Sequence, residues 1–115
     1  MPLTTVEIGR AGESRARRFY VAQGYEIVAV NVRVARVEVD LVVRRAGELL
    51  FVEVKTKRGD AFGDPLEMVD ARKLRRLRRA AETWLALHPA DRGCDVAIEV
   101  LALRANGIER VRDAG

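Results

Sequence analysis

The chain has one cysteine and one histidine, and no apolar run approaches the roughly 18 residues that cross a bilayer. A lone Cys94 excludes an intrachain disulfide and a thiolate metal cluster, and it fits a reducing compartment. A lone His88, set before Pro89 at the end of a helical pattern, excludes an imidazole-based metal centre and is expected at the surface. The N-terminus lacks the apolar core of an export signal, so the expectation is a soluble protein of the cytoplasm with no membrane partner. No repeat, low-complexity tract or linker interrupts the sequence, which suits a single domain over residues 1–115. Lysine is scarce as well: Lys55, Lys57 and Lys73 are the only ones among 21 basic residues, the rest being arginine. A chain that otherwise carries its positive charge as arginine, yet keeps a compact ammonium at position 55, points to chemistry there over general basicity.

Hydrophobic residues make up 49% of the chain, enough for a core at this length, and 33% is charged with a net charge of +4. A pI near 9.8 suits a polyanionic partner without requiring one.

The most informative stretch runs from Arg36 to Lys57. Apolar residues alternate through Val37, Val39, Leu41 and Val43, and again through Leu50, Val52 and Val54, on either side of Ala46-Gly47. That is the period of two half-buried strands joined by a tight turn. Folded antiparallel about that turn, Arg45 meets Glu48, Val42 meets Phe51, and Asp40 meets Glu53. Two carboxylates face to face are destabilising unless something intervenes, and a divalent cation is the obvious candidate. Lys55 shares the Glu53 face, while Val52 and Val54 point to the apolar one. An odd-length loop would shift this pairing by one residue. The same three side chains also read as a plain surface charge network, with Lys55 pairing to Glu38 across the hairpin.

Around the hairpin, Thr4 to Glu7 forms a capping-box pattern that opens a helix to about Gln23, stopped by Gly24. Its core stripe is Ile8, Gly12, Ala16 and Phe19. Gly9 and Gly12 cost helix stability, which suggests close packing at both. Glu13 borders the stripe, either as an edge carboxylate of the sheet face or as a solvated partner of Arg17. Tyr25 to Val34 reads as a strand beside the hairpin. Residues 58–64 read as a loop, Pro65 opens a short helical turn, and Asp70 caps a helix from Ala71 to about Leu87 with Leu74, Leu77, Ala81, Trp84 and Leu85 inward. Its other faces carry Arg72, Lys73, Arg75, Arg76, Arg78 and Arg79, a candidate phosphate-binding surface or a solvated basic face. Cys94 reads as a small buried residue before a strand from Asp95 to Leu103, and Asn106-Gly107 turns into a last strand, Ile108 to Val111. The order α-β-β-β-α-β-β, with a right-handed crossover through the long helix, predicts an α/β fold with a mixed sheet flanked by helices.

Asp40, the Glu53-Val-Lys55 triplet and Glu13 on the preceding helix resemble the PD-(D/E)XK nuclease superfamily. Within it, Gly9 to Glu13, Gly24-Tyr25, Asn31-Val-Arg33, Glu38 to Leu41, Phe51 to Thr56, Phe62-Gly63 and Lys73 resemble the YraN-like family of small bacterial proteins, related to archaeal Holliday junction resolvases. The resemblance spans Glu7 to Val96. It implies a restriction-endonuclease-like fold and an endonuclease hydrolysing phosphodiester bonds of DNA, branched or junction DNA by inference. It implies that Asp40, Glu53 and the Val54 carbonyl hold Mg²⁺ or Mn²⁺. Lys55 would act on the attacking water or the developing charge, and Glu13 would assist through the water shell. Arg10, Arg33, Lys57, Arg72, Lys73 and Arg76 would contact the nucleic acid, and resolvase relatives suggest a homodimer. Three positions depart from the pattern: Val39 stands where the superfamily name has Pro, Val37 where the family usually has Gly, and Cys94 where an aromatic residue is usual. The competing reading is a non-catalytic nucleic-acid-binding module on the same scaffold.

Overall fold

A computed structural model describes residues 5–57 and 69–113. The expected capping box at Thr4, the 58–64 loop, the helical turn after Pro65 and the Phe62-Gly63 pair lie outside them, as do the side chains of residues 5–8.

The elements are α1 (Thr5–Ala22), β1 (Glu26–Val34), β2 (Val37–Arg45), β3 (Glu48–Thr56), α2 (Ala71–Leu87), a short 3₁₀ turn (Pro89–Asp91), β4 (Asp95–Arg104) and β5 (Gly107–Asp113). The strands lie in one mixed sheet in sequence order, β1-β2-β3-β4-β5. Among the described residues only β3 and β4 run parallel, because α2 carries the chain back between them; the other neighbours are hairpins.

The local signals explain these boundaries. Gly24, at φ 89, terminates α1 in the left-handed region where glycine has no Cβ clash. Asp70 caps α2 by accepting from the Lys73 N–H at 2.7 Å. Ala46 and Gly47, both at positive φ, make the two-residue turn that fixes the β2–β3 register. Gly107 is already paired with Arg104, so the last turn is Ala105-Asn106, one residue earlier than the Asn-Gly signal predicts.

The helices cover opposite faces of the sheet. Leu77, Ala80 and Trp84 of α2 pack on Val39, Leu49 and Phe51, while Ala16 and Tyr20 of α1 pack on Leu50, Val52 and Leu101. Leu49 through Val52 are therefore all buried, and β3 is a central strand with two covered faces, not the half-buried strand its alternation suggests. The alternation in β2 also breaks. Val37 and Val39 belong to the α2-side core, but Leu41 and Val43 belong to the α1-side core. The switch occurs at Asp40, opposite which Asn31 of β1 takes a left-handed φ of 49. Asparagine tolerates that conformation, and the kink rotates the strands by one side-chain step at this level.

Gly12 and Gly9 part company. A Cβ at Gly12 would lie 2.8 Å from Thr56 Oγ1, so α1 crosses β3 closely there; a Cβ at Gly9 would meet nothing within 4 Å. The stripe on α1 also includes Tyr20, fully buried, whose hydroxyl donates to Glu99 Oε1 at 2.7 Å.

Candidate functional site

The β2–β3 ladder keeps the expected register from Arg45↔Glu48 to Leu41↔Val52 and stops one step short of Asp40 and Glu53. Beyond that point the Val54 N–H donates to Asp40 Oδ2 at 2.7 Å, so a side chain takes the place of a backbone partner. In an extended strand the N–H and C=O of one residue point the same way. The Val54 carbonyl therefore faces the same gap.

Glu53 stands on the α2 side, only 7% exposed, and its Oε2 is buried without a hydrogen-bond partner. Lys55 Nζ is 3.6 Å from Oε1, and Lys73 Nζ, reaching in from α2, is 3.7 Å from Oε2. Lys55 thus pairs with Glu53, and the pairing with Glu38 that the hairpin allows is not the one the fold uses. It is Lys73 that touches Glu38, donating to its backbone carbonyl at 3.4 Å.

The electrostatics follow from this placement. Burial pushes the Glu53 carboxyl above its ordinary range, and the Asp40 charge adds to the rise; Lys73 and Lys55 only partly offset it. Burial likewise raises Asp40, against the Val54 hydrogen bond and Lys73 and with help from Glu38 and Glu13. Two neighbouring acids are each held where ionisation is costly. One of them has a buried oxygen with no hydrogen bond, and both flank a carbonyl. Oxygen donors of this kind fit a hard divalent cation that keeps several waters. Among the described residues no three Asp, Glu, His or Cys side chains converge as a metal cluster. The donor set that fits is consequently Asp40, Glu53 and the Val54 carbonyl. Glu13, half-buried on α1, acts on Asp40 through its charge, a role compatible with water-mediated contact.

The expected basic contacts separate. Lys73 and Arg76 line a cavity of about 320 Å³ between α2 and the β1–β2 turn, together with Arg36, Arg79 and Glu38. Arg10 is exposed on α1, on the opposite sheet face, and Arg33 and Arg72 are exposed outside that cavity. The Lys57 backbone N–H donates to the Leu103 carbonyl at 2.8 Å, while Arg78 is tied to Asp113. Arg79 belongs to the basic run of α2 that the sequence offers as a phosphate-binding surface, whereas Arg36 was not singled out by the sequence. The lysine economy that marks Lys55 equally marks Lys73, and both prove to flank Glu53.

Trp84 is core, as its spacing predicts, and its indole N–H donates to buried Asp91 at 2.9 Å. His88 is exposed and stacks on Trp84, and Cys94 is half-buried, more open than predicted. No helix among the described residues is long and apolar enough to cross a membrane.

A sequence profile of the uncharacterised protein family UPF0102 matches residues 12–106. A UPF0102 protein of Beutenbergia cavernae is 45% identical over 113 residues, covering 94% of this chain and 95% of its own. One from Symbiobacterium thermophilum is 51% identical over 79 residues, 69% of this chain and 67% of its own. One from Halorhodospira halophila is 39% identical over 106 residues, 92% and 84% of the two chains.

Proposed function

The chain belongs to the uncharacterised protein family UPF0102, and we propose that it is a metal-dependent nuclease of PD-(D/E)XK type, with a restriction-endonuclease-like fold. The observation that carries this reading is the parting of β2 and β3. It sets Asp40 at a strand gap faced by the Val54 carbonyl and leaves Glu53 Oε2 buried without a hydrogen bond. Asp40, Glu53 and the Val54 carbonyl would hold Mg²⁺ or Mn²⁺. Such an ion activates water and neutralises charge on a phosphodiester under attack. Lys55, beside Glu53, orients the attacking water and stabilises the developing charge. Glu13, on the α1 side, would assist the metal through its water shell. The basic border on the α2 side meets the polyanionic backbone. DNA, branched forms included, is the substrate class.

Calorimetric titration of Mg²⁺ and Mn²⁺ into the wild type, Asp40→Ala and Glu53→Ala, beside cleavage assays on four-way-junction, flap and single-stranded DNA, tests this. Metal binding and metal-dependent cutting, both lost in the two variants, are expected. Absence of metal binding to the wild type overturns it.

One observation favours the second reading, a non-catalytic nucleic-acid-binding module: Lys55 and Lys73 both stand within ion-pair distance of Glu53 and can neutralise it internally. On that reading the alanine variants bind DNA as well as the wild type or better.

A further inference from the structure

The cavity beside Lys73 has a composition that the metal centre does not require. Arg36, Lys73, Arg76 and Arg79 converge on it, and among the described residues Glu38 is the one acid in its wall. Clustering four cations costs repulsion that a solvated helix face avoids by spreading them. Here two come from adjacent turns of α2, a third from the start of that helix, and the fourth from a different hairpin.

That fourth cation is held at a conformational cost. The β1–β2 turn consists of Ala35 and Arg36 alone, with φ of 50 and 65, between Val34 and Val37, which pair. Both central residues of such a turn need the left-handed region, where glycine, asparagine and aspartate are normal and an arginine is strained. A glycine would make the same turn more easily, but it would carry no guanidinium to the cavity wall. Lys73 forms the boundary with the acids, 3.7 Å from Glu53 and 3.4 Å from the Glu38 carbonyl.

Resting on the nuclease reading, we propose that this cavity is a phosphate subsite. It holds a non-reacting backbone phosphate of the nucleic acid and fixes the strand relative to the acids. Arg36 and Arg79 are positioning residues, and Lys73 links the phosphate to the metal centre. Three guanidiniums and an ammonium suit a phosphate's several acceptor oxygens better than they suit a carboxylate.

Fluorescence anisotropy of a labelled four-way-junction DNA tests this, in EDTA and in CaCl₂, with Arg36→Gly, Arg79→Gln and the control Arg75→Gln. Arg75 is exposed on α2 and does not line the cavity. The two cavity variants are expected to weaken binding by about tenfold each and to lower the log-log salt slope by about 1, while the control changes affinity less than about twofold. Arg36→Gly should melt no lower than the wild type, because glycine relaxes the turn, so its loss of affinity is not a loss of fold. Equal weakening by all three variants means a diffuse basic field and overturns the subsite. So does calorimetric binding of inorganic phosphate that Arg79→Gln abolishes while DNA affinity stays unchanged, since the ligand is then a free phosphate. If calcium has no effect on binding but the variants keep their ranking, the metal centre fails and the subsite stands.

Discussion

Asp40 and Glu53 contribute to the pH behaviour of the molecule without metal in the sense opposite to Glu48 and Asp91, which are held below their ordinary range. Both carboxyls are raised above their ordinary values by burial and, at Glu53, by the neighbouring acid. The folded chain therefore binds protons more tightly at these sites than the unfolded chain does. Their stabilising contribution is complete below the ordinary carboxylate range and is lost as pH rises through the raised values. Melting in EDTA should show Asp40→Asn and Glu53→Gln gaining stability over the wild type as pH rises through that window, by on the order of 1 kcal/mol at neutral pH. Asn at 40 still accepts from Val54. Added Mg²⁺ should abolish the difference in slope, as an ion on the pair favours the ionised forms. Lys73 makes the complementary prediction. A unit charge about 4 Å away is worth roughly 1 kcal/mol in water and more near a protein surface, so Lys73→Met should tighten Mg²⁺ binding about fivefold at alkaline pH. The same change should weaken DNA binding. A calorimetric series on one variant reads both, and parallel losses would sink the assignment of Lys73 to the border between the two.

At the scale of elements, α1 and β3 meet through a gap sized for a missing side chain. Gly12→Ala drives a Cβ to 2.8 Å from Thr56 Oγ1, on a short side chain fixed near the backbone. It should cost about 1–3 kcal/mol, partly recovered by adding Thr56→Ala. Gly9→Ala, which meets nothing, should stabilise by about 1 kcal/mol through helix propensity. Urea denaturation of the pair decides it. Much at this scale was legible. Asp70 and the spacing of Leu77, Ala81 and Trp84 fix α2, and alternation about Ala46-Gly47 fixes the β2–β3 register. The kink at Asn31 and Asp40 was not, because strict alternation carries no sign of a one-step rotation until a left-handed φ is seen. The coverage of both faces of β3 was hidden in plain view: Leu49 to Val52 is a continuous apolar run, the mark of a doubly covered strand. Within the site, Asp40, Glu53 and Lys55 follow from local register. Lys73 and Arg36 arrive through tertiary approach, which spacing along one chain does not encode.

Across the whole molecule, a buried polar network ties the layers together. Glu99, 1% exposed on β4, accepts from Tyr20 of α1 and pairs with Arg110 and Arg112 of β5. Burial, reinforced by the Glu99 charge, raises the Tyr20 hydroxyl far above its ordinary pKa. Arg112 also pairs with Glu48 of β3, which Tyr25 holds from the other side. A glutamate among Ala97 and Leu101, at the inward parity of its strand, was the available sign. Glu99→Ala leaves the buried Tyr20 hydroxyl without its acceptor and Arg110 without its carboxylate, while Arg112 keeps Glu48, and should cost about 2 kcal/mol, measured by thermal melting, with metal binding retained.

The strand order runs with the sequence, and among the described residues one parallel ladder, β3 with β4, joins the two halves of the sheet. Such a sheet is separable. Chain up to Lys57 carries both acids and Lys55; chain from Val69 onward carries Lys73 and Arg79. Expressed as two polypeptides, they should find each other along that ladder and restore metal binding in the mixture that neither retains alone. The chain is in effect two components written in sequence, one with Asp40, Glu53 and Arg36 and one with Lys73, Arg76 and Arg79, whose side chains come together only when strand is added to strand.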